Sequence, residues 1–250
     1  MQTAIETVQD AQRLRIIFSR PDAGNLITRE FIQSLNAALD RAQHNPEIRV
    51  VTLEGKQNVF CSGMDLQQIS LQEADIFSQS YFDLLLRLTQ FPKFVVSLVD
   101  GKVTAGGIGL LAASDMVFST PQSQFSLSEA LWGLIPACVT PFLIRRVGFQ
   151  KAYAMTLTTL PVSAVEAERI CLVDYISDTP ERALVPLLAR SKLIMEETRL
   201  AVKRYFSHFY TIDENTAHIA VCAFRNAISG EVASERLSSF QQDGKLPWII

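Results

Sequence analysis

The sequence lacks the features that mark nucleic-acid-binding and metal-binding proteins. It has 23 basic and 26 acidic side chains, a formal net charge of −3, and no long run of Lys or Arg. A nucleic-acid partner is therefore not expected, because such partners require clustered positive charge. The 3 histidines and 4 cysteines are scattered, without a CxxC pair or a zinc-ligand spacing. We therefore expect no metal site and reduced cysteines.

The chain also lacks long apolar runs. No segment approaches the roughly 18 uncharged apolar residues of a membrane span. The first ten residues include Glu6 and Asp10 instead of the basic start and apolar stretch of a secretory signal. Apolar side chains still make up 48% of the 250 residues, which is ample for a large core. These features predict a cytoplasmic protein with no membrane partner.

Strand and helix patterns alternate over residues 1–180. Apolar runs predict strands at 14–18, 48–53, 94–99, 116–118, 124–127 and 172–176. Helical spacing predicts helices at 31–42, 76–88, 106–113, 142–147, 152–157 and 164–170. Beyond residue 179 only helical patterns remain, at 183–195, 197–209 and 214–228. The sequence thus predicts an α/β core of stacked βαβ units over 1–180. A helical region over 181–250 is expected to pack on the core or on another subunit.

Three glycines, at positions 106, 107 and 109, open one of the predicted helices. They would let a ligand oxygen approach the unpaired N–H groups at the helix start. Close helix packing is an alternative explanation. A dinucleotide fingerprint of Gly107, Gly109 and Ala112 is a third, but the segment Gly101–Gly106 separates these residues from the preceding strand. That separation argues against the fingerprint.

Two other segments carry candidate chemistry. Small residues in segment 58–66 precede a helix start predicted at Asp65. Two such strand-to-helix junctions can offer two N–H groups to one oxygen atom, as an oxyanion hole requires. In segment 125–136, Glu129 has mostly apolar neighbours, which would raise the pKa of its carboxyl group as acid/base catalysis requires. Glu129 is equally explained as a helix-start residue after the cap Ser128.

Taken in order, these segments resemble the crotonase (enoyl-CoA hydratase/isomerase) superfamily over residues 14–176. Segment 60–66, FCSGMDL, resembles the family's first oxyanion segment, FxxGxDL. Segment 101–115 is similar to the second, and segment 125–136 to the one that bears a catalytic glutamate. The resemblance implies an α/β crotonase fold in which repeated ββα units form a core spiral. It also implies thioester enolate chemistry without a cofactor, in a homotrimer or a dimer of trimers.

The resemblance assigns roles residue by residue. The two oxyanion N–H donors would be Met64 and Gly106, and Glu129 would be the acid/base. The substrate would be carried on the phosphopantetheine of an acyl carrier protein or coenzyme A. Positions that line the thioester and pantetheine entry in the family match Asn25, Leu26, Ser62, Asp65 and Leu66. Asp65 is equally explained as a helix cap.

The chain departs from the hydratase pattern at Gly109, where typical hydratases of this family carry a second glutamate. A single Glu129 could still remove the proton α to the thioester and pass it to a departing β-hydroxyl group. A narrower resemblance is to the first crotonase-like enzyme of polyketide β-branching cassettes, and it covers segments 101–103, 125–129, 136–138, 141–146 and 148–151 and the Pro247–Trp248 pair. Those enzymes dehydrate 3-hydroxy-3-methylglutaryl to 3-methylglutaconyl on an acyl carrier protein.

The resemblance therefore predicts a hydro-lyase acting on a β-hydroxyacyl thioester with an acyl carrier protein as partner. The distal carboxylate of such a substrate would need polar contacts, for which Lys102, Tyr81 and Arg87 are candidates. Two alternatives remain open. One is an isomerase or decarboxylase on the same fold, and the other is a non-catalytic scaffold for the carrier protein.

Overall fold

The computed structural model describes residues 3–248. Residues 1–2 of the predicted α/β core and residues 249–250 of the predicted helical region lie outside the described chain. The strands are β1 (Ile5–Asp10), β2 (Arg13–Phe18), β3 (Val50–Glu54), β4 (Val59–Cys61), β5 (Phe94–Val99), β6 (Lys102–Thr104), β7 (Met116–Ser119), β8 (Gln124–Ser126), β9 (Val162–Ser163) and β10 (Tyr175–Ile176). The helices are α1 (Arg29–His44), α2 (Ala74–Gln90), α3 (Gly106–Ala113), α4 (Thr140–Val147), α5 (Phe149–Thr158), α6 (Ala164–Arg169), α7 (Pro180–Ala183), α8 (Val185–Ser191), α9 (Glu196–Ser207), α10 (Glu214–Ile228) and α11 (Glu231–Asp243).

Each repeat of the core gives one strand to each of two sheets. The larger sheet has the order β1-β2-β3-β5-β7-β10, with parallel pairing everywhere except between β1 and β2. The smaller sheet has the order β4-β6-β8-β9. The units β3-β4-α2 and β5-β6-α3 are therefore ββα repeats. The stacked βαβ prediction missed β4 and β6 because three residues are too few to show strand periodicity.

Local sequence explains why the long elements form where they do. The hydroxyl of Thr28 accepts a hydrogen bond from the N–H of Phe31 at 3.1 Å and caps α1. Phe31, Leu35 and Leu39 then follow one another on the face of α1 that is buried in the core. All five residues of β3 are buried, as is typical of strands inside a parallel sheet with both faces covered.

The predicted and observed elements differ in several places, and the helix predicted at 183–195 is divided between α7 and α8. Strand β1 was not predicted, because most of its residues are polar and exposed at the sheet edge. The helix predicted to start at Asp65 does not form, since its carboxylate accepts the N–H of Gln67 at 3.0 Å in a turn, and α2 begins only at Ala74. The strand predicted at 172–176 shortens to its last two residues.

Only helices follow β10 in the described chain, and one of them, α11, was not predicted. This helix packs on the 3-10 turn Glu129–Trp132. Arg236 donates a hydrogen bond to the carbonyl of Leu131 at 2.6 Å, and the rings of Trp132 and Phe240 meet edge to face at 5.1 Å. The last long helix thus lies against the segment that carries Glu129. Within residues 3–248, none of the helices has the length and apolar character needed to cross a membrane.

Candidate active site

A cavity of about 630 Å³ lies where the three sequence segments meet. Segments 62–67, 104–106 and 128–139 supply most of its wall, and α2 contributes Phe77, Ser78 and Tyr81. The wall is mainly apolar, and Asp65 and Glu129 supply its carboxylates. The described residues that line it include no Lys, Arg or His. The folded chain therefore brings together three segments that are well separated in sequence.

Two backbone N–H groups at the cavity wall have no partner. The predicted donors Met64 and Gly106 both line the cavity, and their N–H groups have no acceptor within residues 3–248. The two segments touch at Gly63, where an added Cβ would lie 2.7 Å from the Cβ of Ala105 and 3.2 Å from the nitrogen of Gly106. Two free N–H groups on adjoining segments of one cavity wall can together bind a negatively charged oxygen.

Backbone hydrogen bonds to the loop before α1 hold the first segment in place. The N–H of Ile27 donates to the carbonyl of Gly63 at 2.8 Å, and the N–H of Asp65 donates to the carbonyl of Ile27 at 3.4 Å. The N–H of Ser62 donates to the carbonyl of Gly24 at 2.9 Å. These bonds flank Met64 on both sides and leave its own N–H group available.

The second segment depends on an unusual backbone conformation at Ala105. This residue, directly before α3, has φ 53° and ψ −122°, a region that costs free energy for any residue with a Cβ. Its N–H donates to the carbonyl of Ser126 at 2.9 Å, which ties the turn to β8. At the other end of α3, Arg145 donates to the carbonyl of Ala112 at 2.7 Å. The unpaired N–H at the start of α3 and the dipole of this helix each favour negative charge at Gly106.

The Glu129 side chain has the environment of an acid/base group. One of its carboxylate oxygens, Oε2, is buried and has no hydrogen-bond partner among the described residues. Loss of solvation raises the pKa of Glu129 from 4.5 to about 7, although backbone N–H groups of Glu129 and Ser128 partly offset the effect. Glu129 does begin the 3-10 turn after Ser128, as the alternative explanation expected, but Ser128 makes no side-chain capping bond there. The carboxylate can exchange a proton with a ligand in the cavity.

Tyr81 occupies the space that a side chain at position 109 would need. An added Cβ at Gly109 would lie 2.5 Å from the hydroxyl oxygen of Tyr81 and 3.1 Å from a methyl group of Val139. The Tyr81 hydroxyl donates a hydrogen bond to the carbonyl of Gly106. A second glutamate at 109 therefore does not fit unless Tyr81 moves. The helix-packing explanation applies to Gly107, whose added Cβ would lie 2.6 Å from the carbonyl oxygen of Cys61.

The structure places four of the five predicted thioester and pantetheine contacts at the cavity, and these are Leu26, Ser62, Asp65 and Leu66. Asn25 does not line the cavity. Its buried amide group donates to the carbonyls of Val59 and Phe60 at 2.9 and 3.2 Å, so it fixes the loop instead of facing a ligand.

Two of the three candidate carboxylate contacts lie away from the cavity. Lys102 is exposed on β6 and is not part of the cavity wall. Arg87 points from α2 toward α1, where it donates to the side chain of Asn36 at 2.8 Å and pairs with Asp40 at 2.5 Å. Only Tyr81 of the three lines the cavity. In the part of the chain that the structure describes, no group of His, Cys, Asp and Glu could hold a metal ion.

The sequence reasoning missed the part of the wall that comes from the C-terminal region. Phe224, Phe240, Leu246 and Trp248 line the cavity, and Trp132 meets Trp248 edge to face at 5.6 Å. Phe240 was not anticipated because α11 itself was not predicted. Phe224 lies on a helix that was predicted, but helical spacing alone does not show which face meets the cavity. The signal available was Trp248 in the Pro247–Trp248 pair.

Comparisons with known proteins place this geometry in a family. The family model described as enoyl-CoA hydratase/isomerase matches residues 10–244. The bacillaene synthase dehydratase PksH of Bacillus subtilis (strain 168) is 33% identical over 238 residues, which cover 93% of this chain and 92% of that protein. An enoyl-CoA hydratase of Mycobacterium tuberculosis is 29% identical over 198 residues, covering 76% of this chain and 74% of that protein.

Solved structures agree in fold. A Bacillus subtilis structure described as a polyketide biosynthesis enoyl-CoA hydratase (pksH) has a TM-score of 0.89 and 32% identity, covering 98% of this chain and 99% of that chain. An enoyl-CoA hydratase from Mycobacterium avium shares the fold at 22% identity, with a TM-score of 0.87 over 99% of this chain and 100% of that chain. The predicted crotonase fold of ββα units is thus confirmed. The chain belongs to the enoyl-CoA hydratase/isomerase family, as a hydro-lyase with the crotonase fold.

Proposed function

We propose that the protein dehydrates a β-hydroxyacyl thioester carried on a phosphopantetheine arm. The observation that carries the proposal is the buried, unpartnered carboxylate oxygen of Glu129 in the same cavity as the free N–H groups of Met64 and Gly106. A base and an oxyanion site in one apolar cavity are the two requirements for forming a thioester enolate.

In the first step, the thioester carbonyl oxygen accepts hydrogen bonds from Met64 and Gly106. The Glu129 carboxylate removes the proton α to the carbonyl, and the electron pair of that C–H bond moves onto the carbonyl oxygen. Each N–H donor that receives the developing charge lowers the barrier by about 3 kcal/mol. The free N–H groups at the start of α3 are well suited to this role, because the helix dipole adds to their attraction for negative charge.

In the second step, the enolate electron pair forms the Cα–Cβ double bond and the Cβ–oxygen bond breaks. The proton on Glu129 passes to the departing oxygen, which leaves as water, and Glu129 returns to its carboxylate form. One group serves as base and then as acid, and a pKa near 7 suits both roles. The proton and the hydroxyl group therefore leave from the same face of the substrate.

The finer proposal concerns the substrate, which we propose to be 3-hydroxy-3-methylglutaryl on an acyl carrier protein, giving 3-methylglutaconyl for polyketide biosynthesis. Support comes from the 33% identity to a protein named as a polyketide synthase dehydratase. Because the described cavity wall has no basic side chain, the distal carboxylate would depend on neutral donors. The hydroxyl groups of Ser62 and Thr104 line the cavity and could serve.

Intact-mass spectrometry of the loaded carrier protein tests the reaction. Wild-type protein is expected to remove about 18 Da, the mass of one water, whereas Glu129→Gln is expected to leave the mass unchanged. Loss of about 44 Da, one carbon dioxide, would instead identify a decarboxylase. If neither protein changes the mass, the dehydratase proposal fails for this substrate, and an isomerase or a scaffold becomes the better explanation.

A matched substrate tests the distal carboxylate separately. A carrier loaded with 3-hydroxy-3-methylbutyryl has the same β-hydroxyl and methyl groups but no carboxylate. We expect the wild-type protein to turn over this substrate at least about tenfold less efficiently, as loss of a charged hydrogen-bonding group predicts. Equal rates would contradict the finer proposal and leave the dehydratase proposal intact.

A further inference from the structure

The buried hydroxyl group of Tyr81 lies at the cavity but has no role in the reaction proposed above. The Tyr81 side chain is 5% exposed and lines the same cavity as Glu129 and Gly106. Its oxygen lies 2.5 Å from the place of an added Cβ at Gly109, so it occupies the space that a side chain at that helix position would need. Within residues 3–248 no group donates a hydrogen bond to this oxygen, so its accepting capacity is available to a ligand.

The direction of its hydrogen bond determines what this hydroxyl can do. A phenol has a single proton, and Tyr81 donates it to the carbonyl of Gly106. Burial, with smaller effects from the neighbouring Cys61, Cys138 and Glu129, raises the pKa of Tyr81 well above its usual value, so the group stays a neutral phenol. What the oxygen still offers is its lone pairs, and it can therefore only accept a further hydrogen bond.

Resting on the proposed dehydration, we infer that Tyr81 accepts a hydrogen bond from the β-hydroxyl group of the substrate and so positions the leaving oxygen for protonation by Glu129. A β-hydroxyl group has one hydrogen and two lone pairs. With its hydrogen held by Tyr81, a lone pair on the same oxygen is free to receive the proton of Glu129.

The balance of the step is simple. The Cβ–oxygen bond breaks, its electron pair and the proton of Glu129 go to the departing oxygen, and water leaves. Tyr81 keeps its own proton, which stays hydrogen-bonded to the carbonyl of Gly106. The same geometry argues against a contact between Tyr81 and the distal carboxylate of the substrate, for which Tyr81 was a candidate from the sequence. An ionised carboxylate has no hydrogen to give, so it would face the lone pairs of Tyr81 and be repelled. Tyr81 thus favours a hydroxyl group, and not the distal carboxylate, at this place.

The test compares two reactions that share Glu129 and the oxyanion site but differ in the leaving group. The first is water loss from the carrier loaded with 3-hydroxy-3-methylglutaryl. The second is deuterium uptake at Cα, in D₂O, by the carrier loaded with 3-methylglutaryl, which lacks the β-hydroxyl group. In Tyr81→Phe we expect water loss to slow about tenfold and deuterium uptake to change by less than about twofold.

A second variant moves the hydroxyl without removing it. Gly109→Ala would place a methyl group at 2.5 Å from the Tyr81 oxygen, and we expect the same selective loss of water elimination. Tyr210→Phe is the matched control, because the Tyr210 hydroxyl accepts a hydrogen bond from Arg145 at 3.1 Å outside the cavity. Both rates should stay at the wild-type level in this control.

The outcomes separate the inference from the function on which it rests. If both rates fall by the same factor in Tyr81→Phe and Gly109→Ala, Tyr81 acts only by shaping the site around Gly106, and the inference is overturned. Unchanged water loss in Tyr81→Phe also overturns it. If wild-type protein neither eliminates water nor takes up deuterium, the proposed function itself fails.

Discussion

At the scale of single residues, the reactivity of Glu129 comes from its surroundings. Its buried oxygen has no partner among the described residues, and the 3-10 turn Glu129–Trp132 places it in a cavity with apolar walls. Aspartate and glutamate are ordinarily ionised at neutral pH. Here burial holds the carboxyl group close to the midpoint between its two forms, which is the condition for giving and taking a proton in one turnover.

The activity should therefore depend on pH in a definite direction. The first step needs the carboxylate form of Glu129, and burial raises the pKa of this group to about 7. We expect kcat/KM for water loss to be constant above that value and to fall about tenfold for each pH unit below it. Steady-state kinetics from about pH 5 to 8, with thermal melting measured at each pH, test this. A flat profile over that range would contradict the role of Glu129 as base.

The same residue should limit stability. The carboxyl group is protonated in both the folded and the unfolded chain below its ordinary pKa of 4.5, and stability is lost as pH rises toward the folded-state pKa of about 7. Glu129→Gln removes the ionisable group and with it this loss. Between pH 4.5 and 8, the free energy of unfolding of the wild type should therefore fall by on the order of 3 kcal/mol more than that of the variant. Urea unfolding at both pH values measures the difference. Identical pH dependence in the two proteins would show that Glu129 carries no such penalty.

Sequence patterns found the residues that act through the backbone or through burial, and missed those that depend on side-chain direction. The family resemblance of three ordered segments assigned Met64, Gly106 and Glu129, and all three line one cavity. Lys102 and Arg87 were chosen for charge alone, and nothing in a linear sequence shows that the Arg87 side chain turns toward Asp40. The sequence also could not show that Tyr81 fills the space beside Gly109, because this contact depends on how α2 packs against α3.

At the scale of elements, the oxyanion site depends on the close approach of the loop after β4 to the start of α3. Gly63 is the contact point, with φ +90° and an added Cβ 3.2 Å from the nitrogen of Gly106. Gly63→Ala should push the two N–H groups apart and lower kcat by about a hundredfold, as loss of one oxyanion donor does. Steady-state turnover of the loaded carrier measures this effect.

Gly148 supplies the control for that substitution. It has a similar φ of +79°, but an added Cβ would meet nothing within 4 Å. Gly148→Ala therefore carries the same kind of backbone strain, on the order of 1 kcal/mol of stability, without touching the cavity. We expect its kcat to match that of the wild type. Similar losses of kcat in both variants would mean that strain, and not separation of the donors, explains the effect of Gly63→Ala.

The elements also show why the sequence predicted the larger sheet better than the smaller one. Strand β5 and helix α3 were predicted at their observed bounds because their apolar residues form uninterrupted buried runs. In the smaller sheet β8 was predicted, but β4 and β6, with three residues each, were missed because their positions are fixed by pairing with other strands. Helix α11 was missed because its sequence is mostly polar and its buried residues are few, Ala233 and Leu237.

At the scale of the whole molecule, two helices of the described chain expose apolar stripes at helical spacing. On α5 the stripe consists of Phe149, Tyr153 and Leu157, of which Phe149 and Leu157 are 65% and 64% exposed. On α9 it consists of Val202, Tyr205 and Phe206, and the exposed Phe209 continues it in the turn after the helix. Helices normally turn such stripes toward a core, and exposed apolar patches of this kind mark interaction surfaces.

These stripes and the family resemblance together predict self-association into a trimer or a dimer of trimers. Size-exclusion chromatography with light scattering should give a mass three or six times that of the 27.9 kDa chain. Leu157→Glu combined with Phe206→Glu should shift the mass toward a single chain, because burying the new carboxylates at an interface costs several kcal/mol. Val8→Glu, at another exposed apolar residue on β1, should leave the mass unchanged. A single-chain mass for the wild-type protein at micromolar concentration would contradict the prediction, and would mean that the stripes serve a different partner.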